Sequence, residues 1–253
     1  MKIGLVQLAM EWENPANNII KVEEMISQIK EKPDLLIFPE LSLTGFTMNT
    51  KEFGEEIDGI STHYFMKLAE RTKTNIFCGV IEKDGKEFFN SLIHFDEHGL
   101  LKARYRKIHP FSLADENKYY SASNELVVTE IGHKRIGLTI CYDLRFPELY
   151  RLYAKRNVDF LINIANWPIP RIEHWKTLLK ARAIENQCFM IGVNRTGTDQ
   201  DHTYNGCSGV YNPLGKEILS VENEEGIFIC DINLNEVKET QESLPFLKDM
   251  KLL

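Results

Sequence analysis

Ile3-Gly4-Leu5-Val6-Gln7-Leu8-Ala9-Met10, then Asn14-Pro15, then Asp34-Leu35-Leu36-Ile37-Phe38-Pro39-Glu40: these three pieces decide the fold class. The first is a short apolar run, too brief for a helix and continuous enough for a strand buried on both faces. Asn14 reads as a helix N-cap followed by proline at the first helical position, where a missing N–H costs nothing. Ile19, Ile20, Val22, Met25, Ile26 and Ile29 then recur at helical spacing, which predicts a helix to about Lys32. Pro33 stops it, and Asp34 to Phe38 predicts the next strand, ending at Pro39-Glu40. Strand, helix, strand is the unit of a layered α/β fold.

The same reading extends outward. A second helix is predicted over His63 to Thr72, and three strands over Ile76 to Ile81, Glu87 to Phe95 and Leu100 to Arg106. Asp84-Gly85 and His98-Gly99 are the turn signals between them. Ile136 to Ile140 is a compact apolar strand that runs into Cys141, and Phe146-Pro147-Glu148 opens the next helix. Asp159 to Ala165 is a further strand, followed by Asn166-Trp167-Pro168 and a helix from about Glu173 to Asn186. The late strands are Phe189 to Asn194, Ser208 to Tyr211 with Glu217 to Val221, and Ile227 to Ile232. No linker, repeat or low-complexity stretch interrupts this, so residues 1–253 are expected to form one domain.

Composition narrows the function classes. The chain is 43% hydrophobic and 26% charged, as a soluble globular protein is. A net charge of -7 argues against a nucleic-acid partner. No apolar run approaches the roughly 18 residues that span a bilayer, and Ile3 to Met10 is too short for an export signal. The five cysteines are scattered, without a zinc spacing or a close pair, which points to a reducing cytoplasm. No glycine-rich phosphate loop is present.

Open α/β sheets place their chemistry at the carboxyl ends of strands. Glu40, Cys141 and Asn166 stand at such ends, and Lys107 stands where the Leu100 to Arg106 strand runs out. Cys141 is expected near a helix N-terminus, where partial positive charge favours the thiolate. Read alone, it is more often an inert buried cysteine; Glu40 alone reads as a surface carboxylate, and Lys107 as part of a solvated basic edge with Arg104 and Arg106.

Taken in order, Phe38-Pro39-Glu40-Leu41, Arg106-Lys107-Ile108-His109 and Ile140-Cys141-Tyr142-Asp143-Leu144-Arg145-Phe146-Pro147 resemble the nitrilase superfamily of carbon–nitrogen hydrolases. The resemblance covers nearly the whole chain, from the first strand to Leu244-Pro245-Phe246. It implies a four-layer α-β-β-α sandwich and a catalytic set of Glu40, Lys107 and Cys141. It also implies a second glutamate, for which Glu116 in Leu113-Ala114-Asp115-Glu116 is preferred over Asp115. Helix-lined pairing into a homodimer is implied as well, and no metal or organic cofactor is required.

Ala165-Asn166-Trp167-Pro168, Ala181 to Gln187 and Asn194-Arg195-Thr196-Gly197 are similar to the omega-amidase branch. Pro110 departs from that pattern, standing where leucine is usual. The branch implies a small-molecule amide as partner, 2-oxoglutaramate or 2-oxosuccinamate, cleaved to the dicarboxylate and ammonia. Other amides, nitriles or carbamoyl compounds stay open, as does a silent scaffold of the same fold. In the implied chemistry Cys141 attacks, Glu40 moves the proton, and Lys107 with the Tyr142 N–H holds the oxyanion. Trp167 is expected to line the pocket, and Arg171 or Arg195 to meet a substrate carboxylate. Arg145 is read either as a partner of Asp143 or Glu148 bracing the turn or as part of the site.

Overall fold

Side chains of a strand alternate between its faces, so a strand apolar at every position must be covered on both. The computed structural model describes residues 1–252 and meets this demand with two sheets packed face to face and helices outside. The chain runs through β1 (Lys2–Gln7), α1 (Pro15–Ser27), β2 (Leu35–Ile37), α2 (Thr50–Phe53), α3 (Ile60–Thr72), β3 (Asn75–Asp84), β4 (Glu87–Phe95) and β5 (Leu101–Arg106). It continues through β6 (Val128–Ile131), β7 (Lys134–Ile140), α4 (Pro147–Lys155), β8 (Phe160–Ala165), α5 (Ile172–Asn186) and β9 (Phe189–Asn194). Last come β10 (Thr196–Thr198), β11 (Thr203–Tyr211), β12 (Glu217–Glu222), β13 (Gly226–Asp231) and α6 (Asn235–Ser243).

The first sheet has the order β13-β1-β2-β3-β4-β5, parallel across β1, β2 and β3 and antiparallel elsewhere. The second has the order β10-β11-β9-β8-β7-β6, with β12 also on β11; its parallel centre is β7, β8 and β9. Ile3, Leu5, Leu35, Ile37 and Phe77 of the first sheet meet Ile136, Leu138, Ile162, Ile164 and Ile191 of the second in one core. The intervening residues Val6, Leu36, Ile76 and Cys78 face the other way, onto Val22 of α1 and Phe65, Leu68 and Ala69 of α3. Leu161 and Met190 likewise pack on Leu149 and Tyr153 of α4 and on Trp175, Leu179 and Ala183 of α5. The period of two thus builds the four-layer α-β-β-α sandwich that the resemblance implies.

Several boundaries differ from the sequence reading. β1 ends at Gln7 rather than Met10. Beyond it the backbone is satisfied by side chains: the Ala9 N–H donates to Glu225 Oε1, and the Met10 carbonyl accepts from Arg195 Nη2. α1 ends at Ser27, capped by Gln28, instead of reaching Lys32. Four short elements were not anticipated: α2, β6, β10 and α6. α6 has only Val237 and Thr240 buried, so it carries almost no apolar period to read.

Candidate active site

The parallel strands β2, β7 and β8 end on one edge of the sandwich, which brings Glu40, Cys141 and Asn166 together. β7 delivers Cys141 with φ +46°, the first residue of a 3₁₀ turn over Cys141–Arg145. Asp143 holds this turn. Its Oδ2 accepts from the Ile140 N–H (2.9 Å) and the Tyr105 hydroxyl (2.7 Å); its Oδ1 accepts from the His109 N–H (3.0 Å) and faces His109 Nδ1 (2.8 Å). The turn bearing Cys141 is thereby tied to the segment that carries Lys107. Of nine non-glycine residues with positive φ among the described residues, three are Cys141, Leu41 beside Glu40 and Asp115 beside Glu116. Each such residue costs about 1–3 kcal/mol, and their gathering here marks a site held by its surroundings.

Glu40, Lys107 and Glu116 are all essentially inaccessible to solvent. Lys107 Nζ donates to Glu40 Oε1 at 2.9 Å and to the two Glu116 oxygens at 3.1 and 2.9 Å. Asn90 Nδ2 donates to Glu40 Oε1 (2.7 Å) and Glu116 Oε1 (2.9 Å). Glu40 Oε2 accepts from the Asn166 N–H at 2.8 Å, while the Asn166 carbonyl lies 4.0 Å from Cys141 Sγ. The Phe46 ring faces the ammonium from 5.4 Å.

Burial alone would discharge Lys107, but Glu116, Glu40 and Cys141 outweigh it and hold the ammonium well above the ordinary lysine range. Burial raises Glu116, partly opposed by Lys107. Cys141 departs from expectation. Burial, with Glu40 adding to it, pushes its thiol well above the ordinary value, and Lys107 only partly opposes this. One five-residue 3₁₀ turn has too small a dipole to reverse two nearby carboxylates. These surroundings favour the thiol of Cys141 over the thiolate.

A cavity of about 560 Å³ opens over Cys141. Phe46, Phe111, Tyr142 and Trp167 give it apolar walls, and Asp199 to His202 form part of its rim. Of the residues expected to meet the substrate, Trp167 and Arg171 line this cavity and Arg195 does not. Arg195 is fully buried, donating to the carbonyls of Met10, Thr196 and Thr198 and stacking on Tyr204. It joins three chain segments behind the pocket. Arg145 takes its place in the wall and pairs with neither Asp143 nor Glu148: its guanidinium lies over Trp167 at 4.7 Å and contacts His174 at 3.2 Å. Burial and the nearby charge of Arg171 make it harder to protonate than an ordinary arginine. Among the described residues neither Arg145 nor Arg171 has a carboxylate within salt-bridge distance. Asn90 escaped the sequence reading; its signal was an Asn-Ser pair inside a strand otherwise buried on both faces.

A 2-oxoglutaramate amidase of Bacillus subtilis is 36% identical, the alignment covering 98% of this chain and 97% of that protein. An omega-amidase of Escherichia coli, YafV, is 31% identical over 98% of this chain and 96% of its own length. The crystal structure of a CN-hydrolase superfamily protein from Xanthomonas campestris, with an arsenic adduct in its active site, superposes with a TM-score of 0.95. It is 32% identical and covers all of this chain and 98% of its own. The carbon-nitrogen hydrolase family model matches residues 2–242. With that match spanning both sheets and relatives above 30% identity covering the same length, the chain belongs to the carbon-nitrogen hydrolase family.

Proposed function

We propose that this hydrolase cleaves the terminal amide of a small 2-oxo dicarboxylic acid monoamide, 2-oxoglutaramate or 2-oxosuccinamate, through a thioester on Cys141. The observation that carries the reading is the pair of arginines, Arg145 and Arg171, set in the wall of the Cys141 cavity without an acidic partner. Two guanidiniums that repel one another favour an anionic substrate, and a carboxylate satisfies both. The names of the Bacillus subtilis and Escherichia coli relatives support the same substrate class.

In the proposed reaction Cys141 Sγ attacks the amide carbon as its proton passes to Glu40. The developing oxyanion is held by the Lys107 ammonium and the Tyr142 N–H, which lies in the first turn of the 3₁₀ segment where donors lack intrahelical partners. Glu40 returns the proton to nitrogen as the carbon–nitrogen bond breaks and ammonia leaves. It then takes a proton from water as that water attacks the thioester, releasing the dicarboxylate and restoring the thiol. Glu116 and Asn90 fix Lys107 and Glu40 during both stages. Residues 1–253 act as one catalytic domain.

The protein is further proposed to act as a homodimer in the cytoplasm. Ile184 and the exposed Phe246 and Leu252 line an open groove between α5 and the C-terminal segment, an apolar surface suited to a second copy. No described helix is long and apolar enough to cross a membrane. Ammonia release from 2-oxoglutaramate, 2-oxosuccinamate, a neutral aliphatic amide, a carbamoyl compound and a nitrile tests the substrate reading. Turnover is expected with the two anionic amides; preference for an uncharged substrate overturns it. Light scattering at micromolar concentration checks the dimer.

A further inference from the structure

Asn90 lies on β4, fully buried, and places one amide group between two carboxylates. Its Nδ2 has two protons; one goes to Glu40 Oε1 at 2.7 Å and the other to Glu116 Oε1 at 2.9 Å. Lys107 Nζ bridges the same two oxygens from its own side, at 2.9 and 3.1 Å. Glu40 Oε1 therefore already accepts two strong donors, the number its lone pairs accommodate. Glu40 Oε2 accepts the Asn166 N–H at 2.8 Å and only a long contact from Asn166 Nδ2 at 3.4 Å. That oxygen has capacity left, and it is the one on the side of Asn166, whose carbonyl contacts Cys141 Sγ.

The amide orientation follows from the same contacts. Turned over, Asn90 would present its carbonyl to two carboxylate oxygens. As placed, its buried Oδ1 finds no donor among the described residues. The side chain leaves its own acceptor unsatisfied while both donors serve Glu40 and Glu116, which a merely space-filling asparagine has no reason to do. The groups facing this amide are Glu40, Glu116 and Lys107, with Cys141 and Tyr120 close enough for their charges to act on the same cluster.

We propose that Asn90 is a positioning residue for the acid–base step. By occupying Glu40 Oε1 and Glu116 Oε1 together it leaves Glu40 Oε2 as the single proton-accepting atom for Cys141 and holds both carboxylates in place beside Lys107. This rests on Glu40 being the base, and it makes no assumption about which amide is the substrate.

The test is alkylation of Cys141 by iodoacetamide, followed by mass spectrometry across pH in the full-length protein, with Cys141→Ala as the blank for the other thiols. Asn90→Asp keeps the side-chain shape but replaces the two-proton donor by a third carboxylate. Like charges hold protons to higher pH, so the acid limb of the alkylation profile is expected to move up by at least one pH unit, which is about tenfold in rate on that limb. Asn90→Ser keeps one donor and should give a smaller shift in the same direction. Thermal unfolding of both variants reports the fold separately. Profiles that superimpose on the wild type after uniform scaling, in either folded variant, overturn the proposal and leave Asn90 a structural residue. The alkylation result stands or falls independently of whether 2-oxoglutaramate is turned over.

Discussion

Cys141, the proposed nucleophile, sits where its surroundings disfavour a thiolate. Its backbone is left-handed and its thiol is pushed well above the ordinary value by burial and by Glu40. In the proposed reaction the Glu40 carboxylate therefore takes the proton during attack, and no standing thiolate is needed. Cys141→Ala should abolish ammonia release while leaving the melting temperature within a few degrees, since the sulfur's one hydrogen-bond contact is a 4.0 Å approach to Asn166. A variant with substantial residual turnover removes Cys141 from the mechanism. Arg145 belongs to the same scale. If it holds a substrate carboxylate, Arg145→Ala loses a charge-assisted hydrogen bond of about 1.5–3 kcal/mol, or roughly 10–100-fold in KM with a much smaller effect on kcat. Steady-state kinetics separates the two parameters; an unchanged KM places the carboxylate elsewhere.

At the scale of elements, the site depends on how closely β3 lets the chain after β2 approach. A Cβ added to Gly79 would stand 2.4 Å from the Leu41 nitrogen and 2.9 Å from the Glu40 Cα and carbonyl carbon. Backbone atoms cannot yield as a flexible side chain does, so Gly79→Ala should push Glu40 off Lys107. Overpacking of this kind costs about 1–3 kcal/mol in stability, and a displacement near 1 Å costs on the order of 100-fold in rate. A folded Gly79→Ala enzyme with wild-type kcat would show that Glu40 tolerates the shift. The central strands were legible because both their faces are buried: Leu35–Ile37, Ile136–Ile140 and Phe160–Ala165 read as unbroken apolar runs. Glu40, Lys107 and Cys141 were legible as a set only through the three ordered motifs that resemble the nitrilase superfamily. The fate of the arginines was not, because a guanidinium reaches far from its Cα. Arg195 looked available and is spent on three backbone carbonyls; Arg145 read equally as a brace on Asp143 or Glu148 or as part of the site, and Ile140, Tyr105 and His109 claim the Asp143 carboxylate. Sequence spacing does not record such competition.

Across the whole molecule, the two sheets are joined mainly by apolar contact, with a polar tie at His94. This β4 residue stacks on Phe77 with ring centroids 4.2 Å apart. Its Nδ1 lies 2.8 Å from Thr129 Oγ1 on β6 of the opposite sheet, and its Nε2 lies 3.1 Å from Asn75 Oδ1. Burial drives its pKa from 6.5 down to about 3, with Asp96 opposing and Lys102 adding to the shift. The imidazole is thus neutral when folded and protonates on unfolding at any pH between those values. Because the unfolded chain binds the extra proton, the stability His94 contributes is present above pH 6.5 and is lost as pH falls toward 3. The slope from this one group approaches about 1.4 kcal/mol per pH unit inside that window. His94→Gln keeps hydrogen-bonding groups at the sheet interface without a titrating ring. It should be less stable than the wild type at pH 7, yet lose stability less steeply between pH 6 and 4 in urea unfolding. Parallel slopes for the two proteins would show that other groups, chiefly carboxylates, govern the acid sensitivity of the sandwich.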